Sequence, residues 1–386
     1  MTRNFWTAGV MLAALATSGV TAQQQKYQVG IVSESGDIVT WFRPDGPKLI
    51  VDRVVPVGIK PADIDGPHGI AMAPDMKSYF VSVAHGVPFG TLWQFDAATD
   101  QFMGKALAEH FPTTISVTPD NEFAFVANSD FHGDRPRVNV ISVVHVPSMT
   151  KIFDLPACDM PHGMRVNHAG TRAYATCMHS DEILEIDVNT FAIARRVRTG
   201  KGHTMAGAPA AGHPAGHAGH DASHATPPGA GVVVEPPAAL MTRECAGTYI
   251  SVSADDKTLY VACNNGNTVQ VWDAETLQLR REVAVGAGAY NLEPSPDGSV
   301  LVVTNKKDQS FSIVDTKTWT ETARVKTTKK IVHGVVFSPD GKYAYVSQES
   351  IGSDPGAIDV VDLATRKVVS TVPVPAQPTG LTIRLM

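Results

Sequence analysis

Charge is scarce in this chain. Only 18% of its 386 residues are Asp, Glu, Lys or Arg, and the net charge is −6. No basic surplus marks a surface for a polyanion, which argues against a nucleic-acid partner. Aromatic residues make up 7% and cysteines number 4. Helical periodicity is almost missing, and beyond the N-terminus no apolar run approaches membrane-spanning length. The short catalytic signatures are missing too: no Gly-x-Ser-x-Gly elbow, no phosphate loop, no His-Glu-x-x-His and no Cys-x-x-Cys-His for attached haem. What remains is a chain that is 43% hydrophobic, ample for the core of one large domain.

That apolar content is organised as a repeat. The stretch Val332-His333-Gly334-Val335-Val336-Phe337-Ser338-Pro339-Asp340-Gly341-Lys342-Tyr343-Ala344-Tyr345-Val346-Ser347 reads as strand, tight turn, strand. Pro presets φ in the turn and Gly supplies a positive φ. Five earlier copies begin at Pro67, Thr113, Pro161, Gly247 and Ala289, and a truncated copy, Pro378-Thr379-Gly380-Leu381, ends the chain. Each full copy continues into two more strands, such as Thr268 to Asp273 and Leu279 to Val285. Four short antiparallel strands at a period in the forties make a propeller blade. The N-terminal region supplies three strands and no inner one (Tyr27 to Ser33, Asp37 to Arg43, Lys48 to Val57), and the C-terminal Thr379 to Arg384 supplies the missing one. The expected fold is therefore all-β: a seven-bladed β-propeller with four antiparallel strands per blade, closed by the C-terminal strand completing the N-terminal blade. Asp96, Asp187, Asp273, Asp315 and Asp362 recur at the end of third strands and are read as turn-bonding residues.

Tyr260-Val261-Ala262-Cys263-Asn264, Phe125-Val126-Ala127-Asn128, Val302-Val303-Thr304-Asn305 and Tyr345-Val346-Ser347 look like variants of the YVTN repeat. Over residues 27 to 386 the chain resembles the YVTN seven-bladed propellers, a group similar to the propellers of haem-type nitrite reductase, nitrous oxide reductase and lactonases. The resemblance is specific for fold and weak for function, because propellers host unrelated activities.

Two segments fall outside the repeat. Residues 1–22 read as a secretory signal, with Arg3, an apolar core from Ala8 to Ala16 and Val20-Thr21-Ala22 before the cleavage point. The mature protein, 23–386, is then expected to be exported to the periplasm or secreted, with no membrane span, and to be a monomer. Residues 200–244 form a His/Gly/Ala/Pro-rich insertion between blades four and five, too polar and low in complexity to bury a core and expected to be disordered.

The histidines follow the repeat. His68, His162 and His333 stand at the entry to inner strands. His85 and His179 follow two of them by 17 residues, at the end of the second strand (68 to 85, 162 to 179). Antiparallel geometry puts both kinds of position at one face of the ring, so these five imidazoles are expected to converge on the channel mouth. The other entry positions are assigned to Thr114, Thr248, Tyr290 and Thr379. Several imidazoles around one funnel suit a metal ion. His203, Met205, His213, His217, His220 and His224 in the insertion would serve as a lower-affinity collecting arm. The alternative is that each imidazole bonds only to water and backbone. Glu293, Asp159, Glu349 and Arg165 are read as structural partners, with a place in the channel left open.

Cys177 and Cys263 occupy one repeat position, and Cys158 and Cys245 nearly share another. An even count in an exported chain favours disulfides, and Cys158–Cys177 with Cys245–Cys263 would staple each entry loop to its own blade. Three pairings are open in principle; thiolate ligation beside His162 and His179 is the rival.

The leading functional reading is an exported metal-binding propeller handling copper or zinc, with a metal ion or small ligand in the channel. Haem is the less favoured cofactor. The alternatives are a redox or cofactor-binding enzyme of the nitrite or nitrous oxide reductase propeller type, and a non-catalytic scaffold whose rim binds a periplasmic protein; a lactonase-type hydrolase is weaker still. If the chain is an enzyme, an oxidoreductase is favoured over a hydrolase.

Overall fold

A computed structural model describes residues 25–58, 65–85, 90–129, 139–200, 243–350 and 353–386. Its strands form seven sheets of four, each antiparallel in chain order from the axis outward. The first blade is completed by the last strand: Pro378–Leu385 pairs with Tyr27–Ser33, followed outward by Ile38–Asp45 and Lys48–Pro56. The expected ring and its closure are both present. The expected signal sequence and collecting arm, with His203, Met205, His213, His217, His220 and His224, lie outside the described residues.

The turns explain why the chain reverses where it does. In the seventh blade Ser338 Oγ donates to Asp340 Oδ1 at 2.6 Å, while Gly341 N donates to Ser338 O at 2.9 Å with φ at +67°. Gly298 and Gly170 fill the same place in two other blades, where glycine takes a positive φ at no steric cost, and Met76, Asn121 and Asp256 hold the same left-handed φ in three more. The third-strand aspartates behave as the repeat suggests. Asp96 Oδ1 accepts from Ala98 N and Thr99 N, and Asp187, Asp273, Asp315 and Asp362 cap their turns in the same way.

The core is divided among the blade interfaces. Seven clusters of buried side chains each join two neighbouring blades, for example Phe125 and Ile141 of blade three with Met164 and Leu184 of blade four. Middle strands are therefore buried on both faces and carry little polar alternation, as in Ser78–Val83. Ring closure adds a polar lock. Arg384, in the closing strand, lies 3.8 Å above the Trp41 ring and donates to Asp100 Oδ1 at 2.8 Å and to Gln28 Oε1 at 2.7 Å.

Toward the axis the inner strands crowd. A Cβ on Gly69 would lie 2.0 Å from Thr113 O of the next blade, which is why a glycine follows His68. The seven inner strands, beginning at Pro67, Pro112, Pro161, Gly247, Ala289, Ile331 and Pro378, surround a cavity of about 430 Å3.

Candidate functional site

The channel mouth is built on β-bulges. In blade two Pro67 faces Val83 and Gly69 faces Ser82, so two steps of the inner strand oppose one step of its partner. The same shift occurs between Pro161 and Met164 and between Val332 and Val335. A bulge re-aims the residue it contains. Here those residues are His68, His162 and His333, and all three line the cavity. The equivalent position in blade three is Thr113, not Thr114, because Pro112 pairs with Asn128 as Pro161 pairs with Cys177. The ring is therefore His68, Thr113, His162, Thr248, Tyr290, His333 and Thr379, each less than 9% exposed.

Every backbone carbonyl of this ring accepts a hydrogen bond from the preceding blade. Thr379 Oγ1 donates to His68 O at 2.7 Å, Thr113 Oγ1 to His162 O at 3.4 Å and Thr248 Oγ1 to Tyr290 O at 2.6 Å. His162 performs the same task, its Nδ1–H donating to Thr248 O at 2.5 Å. In the three remaining blades a second-strand hydroxyl takes over. Ser82 donates to Thr113 O at 3.0 Å, Thr304 to His333 O at 2.8 Å and Ser347 to Thr379 O at 2.7 Å. The ring residues of those three blades, His68, Tyr290 and His333, are released from the collar.

The released residues meet one another. The His333 ring centroid stands 5.3 Å from that of His68 and 4.8 Å from that of Tyr290. Tyr290 Oη lies 3.3 Å from His162 Nε2. His162 is neutral: burial pushes its pKa down to about 3, with nearby His68 and Lys306 adding to the effect. Its Nδ1 carries the proton, so Tyr290 is the donor to Nε2. Burial likewise holds His333 well below the ordinary histidine range, aided by Lys306, His68 and His162. His333 is 6% exposed, and neither of its ring nitrogens has a hydrogen-bond partner among the described residues. Its Nε2 is 3.8 Å from Glu349 Oε1, beyond hydrogen-bond range.

Two charged residues unremarked in the sequence complete the mouth. Glu34, in the turn Glu34–Gly36 of blade one, accepts from His68 Nδ1 at 2.9 Å and from His85 Nε2 at 3.1 Å. Lys306 lies 4.3 Å from the Tyr290 ring centroid and pairs with Glu349 Oε1 at 3.0 Å. Glu34 directly follows the second strand Tyr27–Ser33 of blade one, and its N–H donates to Gln377 O as Lys306 N donates to Gly288 O in blade six. Lys306 carried a positional signal: it directly follows the second strand Val300–Asn305.

His68 and His85 share Glu34, His333 meets His68 edge-on, and His162 joins through Tyr290; His179 Nδ1 stands 3.8 Å from Asp159 Oδ1. Among the described residues no group of three or more His, Cys, Asp or Glu side chains could hold a metal ion. The cysteines form Cys158–Cys177 and Cys245–Cys263, which removes thiolate ligation. Arg165 and Glu293, from blades four and six, form an ion pair inside the channel.

Residues 295–383 match the family model described as Cytochrome D1 heme domain, a span that contains Lys306, His333 and Glu349. Among solved structures the chain is similar to one titled "Kuenenia stuttgartiensis Hydrazine Synthase", at 17% identity over 84% of this chain and 92% of that chain, with a TM-score of 0.61. At that identity the likeness concerns fold alone. The chain is thus a seven-bladed β-propeller whose last two blades and closing strand are similar to the Cytochrome D1 heme domain.

Proposed function

We propose that this protein is an exported cofactor-binding propeller that holds a haem-type macrocycle at the channel mouth, with His333 as the axial ligand. The carrying observation is His333 itself: a buried neutral imidazole with both nitrogens free of hydrogen bonds, inside the span that matches a haem-domain model. The donor set favours a macrocycle over the bare copper or zinc ion suggested by sequence. A bare ion needs three or four protein ligands, whereas a macrocycle supplies four nitrogens and needs only one or two from the protein. Noncovalent holding requires no Cys-x-x-Cys-His.

Around His333 the other side chains have separable tasks. Tyr290 contributes a hydroxyl and a ring face. Lys306 contributes a half-buried positive charge suited to an acidic substituent. Glu34 fixes the orientation of His68 through Nδ1, leaving Nε2 as its other polar atom. When bound, such a group supplies one-electron chemistry at its metal, and the chain supplies ligand, charge and exclusion of water. Two disulfides suit an oxidising compartment, and no helix among the described residues is long and apolar enough to cross a membrane.

The test uses absorption spectra and metal content of the purified protein, followed by titration with hemin. Wild type and His179→Ala are expected to give a sharp Soret band at one equivalent, and His333→Ala is not. Equal behaviour of all three proteins would overturn the assignment. Stoichiometric copper or zinc without any haem binding would restore the bare-metal reading. A silent protein with a tight rim partner would favour the scaffold.

A further inference from the structure

The face that carries the mouth is electrically lopsided. The repeat allows the blades to be compared at one place, three and four residues before each ring residue. There blades two to five carry Asp65, Glu109, Asp159 and Glu244, while blades six and one carry neutral residues. Blade seven alone carries lysines, Lys329 and Lys330. Two more lysines widen the patch at the same face. Lys307 lies in the turn after Val300–Asn305, and Lys326 ends the outer strand Thr320–Lys326 with its side chain 72% exposed. The half-buried Lys306 joins the patch to the mouth. Nearby carboxylates are fewer. Asp308 Oδ1 holds Lys326 Nζ at 3.1 Å, Glu349 holds Lys306, and Asp354 precedes the strand Gly356–Asp362. Among the described residues no carboxylate pairs with Lys307, Lys329 or Lys330.

The loop that presents the lysine pair is fixed from beneath. Thr327 N donates to Gln309 O at 3.0 Å, and Lys329 N donates to Gln348 Oε1 at 2.5 Å. Thr328 donates to Asp359 twice, from N at 3.0 Å and from Oγ1 at 2.7 Å. Gln348 and Asp359 are both fully buried. These bonds use backbone and threonine groups, so the ammonium groups of Lys329 and Lys330 stay available to a partner. Docking then orders side chains but no loop, which keeps its entropic cost low.

We propose that the rim of blades six and seven is a docking surface for a small protein with a compact acidic face. Charge selects this occupant. A planar anionic bilayer or an extended polyanion would also reach Asp65, Glu109, Asp159 and Glu244 across the same face and be repelled there. A compact acidic surface covers the lysines alone. Lys306 lies 4.3 Å from the Tyr290 ring centroid, so an occupant of the patch also faces the mouth. The surface stands on charge and geometry and does not depend on the cofactor reading.

The probes are a plant-type ferredoxin, which is acidic, and cytochrome c, which is basic. Each is titrated against the full chain by calorimetry and NMR line broadening. The ferredoxin is expected to bind at about 0.01 M salt and to weaken by about tenfold at about 0.1 M, as the screening length falls from about 30 to about 10 Å. Cytochrome c is expected not to bind the patch. Lys329→Glu/Lys330→Glu should weaken the ferredoxin by about tenfold. Lys317→Glu/Lys342→Glu makes the same change of net charge in turns at the opposite face of the same two blades, and should cost about twofold at most. Circular dichroism confirms that both variants are folded. Hemin binding is read separately from the Soret band, so the two assignments fail independently. No ferredoxin binding at low salt, equal weakening by the two double variants, or tighter binding of cytochrome c would overturn the proposal. Adsorption to phosphatidylglycerol vesicles that disappears in Lys329→Glu/Lys330→Glu would overturn it in favour of a membrane.

Discussion

Glu34 Oε2 accepts a 2.9 Å hydrogen bond from His68 Nδ1, joining a turn of blade one to the inner strand of blade two. Burial alone would raise the Glu34 carboxyl above its ordinary 4.5, but hydrogen bonds from His68 and His85 and their positive charge outweigh it and hold the pKa at about 2. A depressed carboxyl stabilises the fold fully above pH 4.5 and ceases to do so as pH falls toward 2. Glu34→Gln should therefore be less stable than wild type by about 2 kcal/mol at neutral pH, with the gap closing near pH 2. Denaturant melts across that range measure the difference; a gap independent of pH would contradict the pairing.

His162 predicts a second acid transition. Its folded pKa lies near 3 against an ordinary 6.5, mainly through burial. The neutral ring stabilises the fold fully above pH 6.5, and this contribution is lost as pH falls from 6.5 toward 3. His162→Asn keeps a donor for Thr248 O and removes the titration. Its stability should fall less steeply than that of wild type between pH 6.5 and 4, read from thermal melts.

The two disulfides close sequence separations of 19 and 18 residues. Chain entropy assigns about 3 kcal/mol to a loop of that size. Cys245→Ser/Cys263→Ser should lower stability by about that amount, and Cys158→Ser/Cys177→Ser should do likewise. The blades remain in place because neighbouring interfaces hold them. A reductant that leaves the melting temperature of wild type unchanged would refute this.

Arg384 is the polar lock of ring closure, 3% exposed and tied to Gln28 and Asp100. Arg384→Met keeps much of the volume over Trp41 but leaves Asp100 with Arg53, at 2.8 Å, in place of two arginines. The expected loss is about 3 kcal/mol, as for breaking a buried pair. Calorimetry should show a lower midpoint with the transition still cooperative.

The fold was legible because its information is repeated. Six turns, six full copies of one strand pair and the aspartates of the third strands all vote for the same blade. The site was legible only where it used repeat positions. His68, His162 and His333 were found that way. Thr114 was one residue out because a bulge adds a residue to the inner strand, an offset invisible to alternation. Glu34 and Lys306 share one repeat position, the residue after the second strand, and were missed because that position keeps no constant residue type, being Ala84, Met178 and Asn264 elsewhere. The repeat placed the four cysteines at shared positions, and the structure chooses among the three open pairings.

The carbonyl collar sets how many positions of the ring are available for chemistry. Where the second strand carries Ser82, Thr304 or Ser347, the ring residue is His68, Tyr290 or His333. Where it carries Ala127, Ala262 or Val32, the ring residue is Thr113, Thr248 or Thr379. Blade four alone has both Thr176 and a histidine that still bonds the collar. The scaffold thus behaves like a switchboard with one toggle per blade: a hydroxyl on the second strand frees the socket on the first. Thr113→His by itself removes one of the two hydroxyls, those of Thr113 and Thr114, that serve His162 O, whereas Thr113→His with Ala127→Ser exchanges one donor for another and opens a fourth imidazole socket at the mouth. New ligands enter such a ring in pairs of substitutions, so its capacity to acquire chemistry is written in a strand that never touches the ligand.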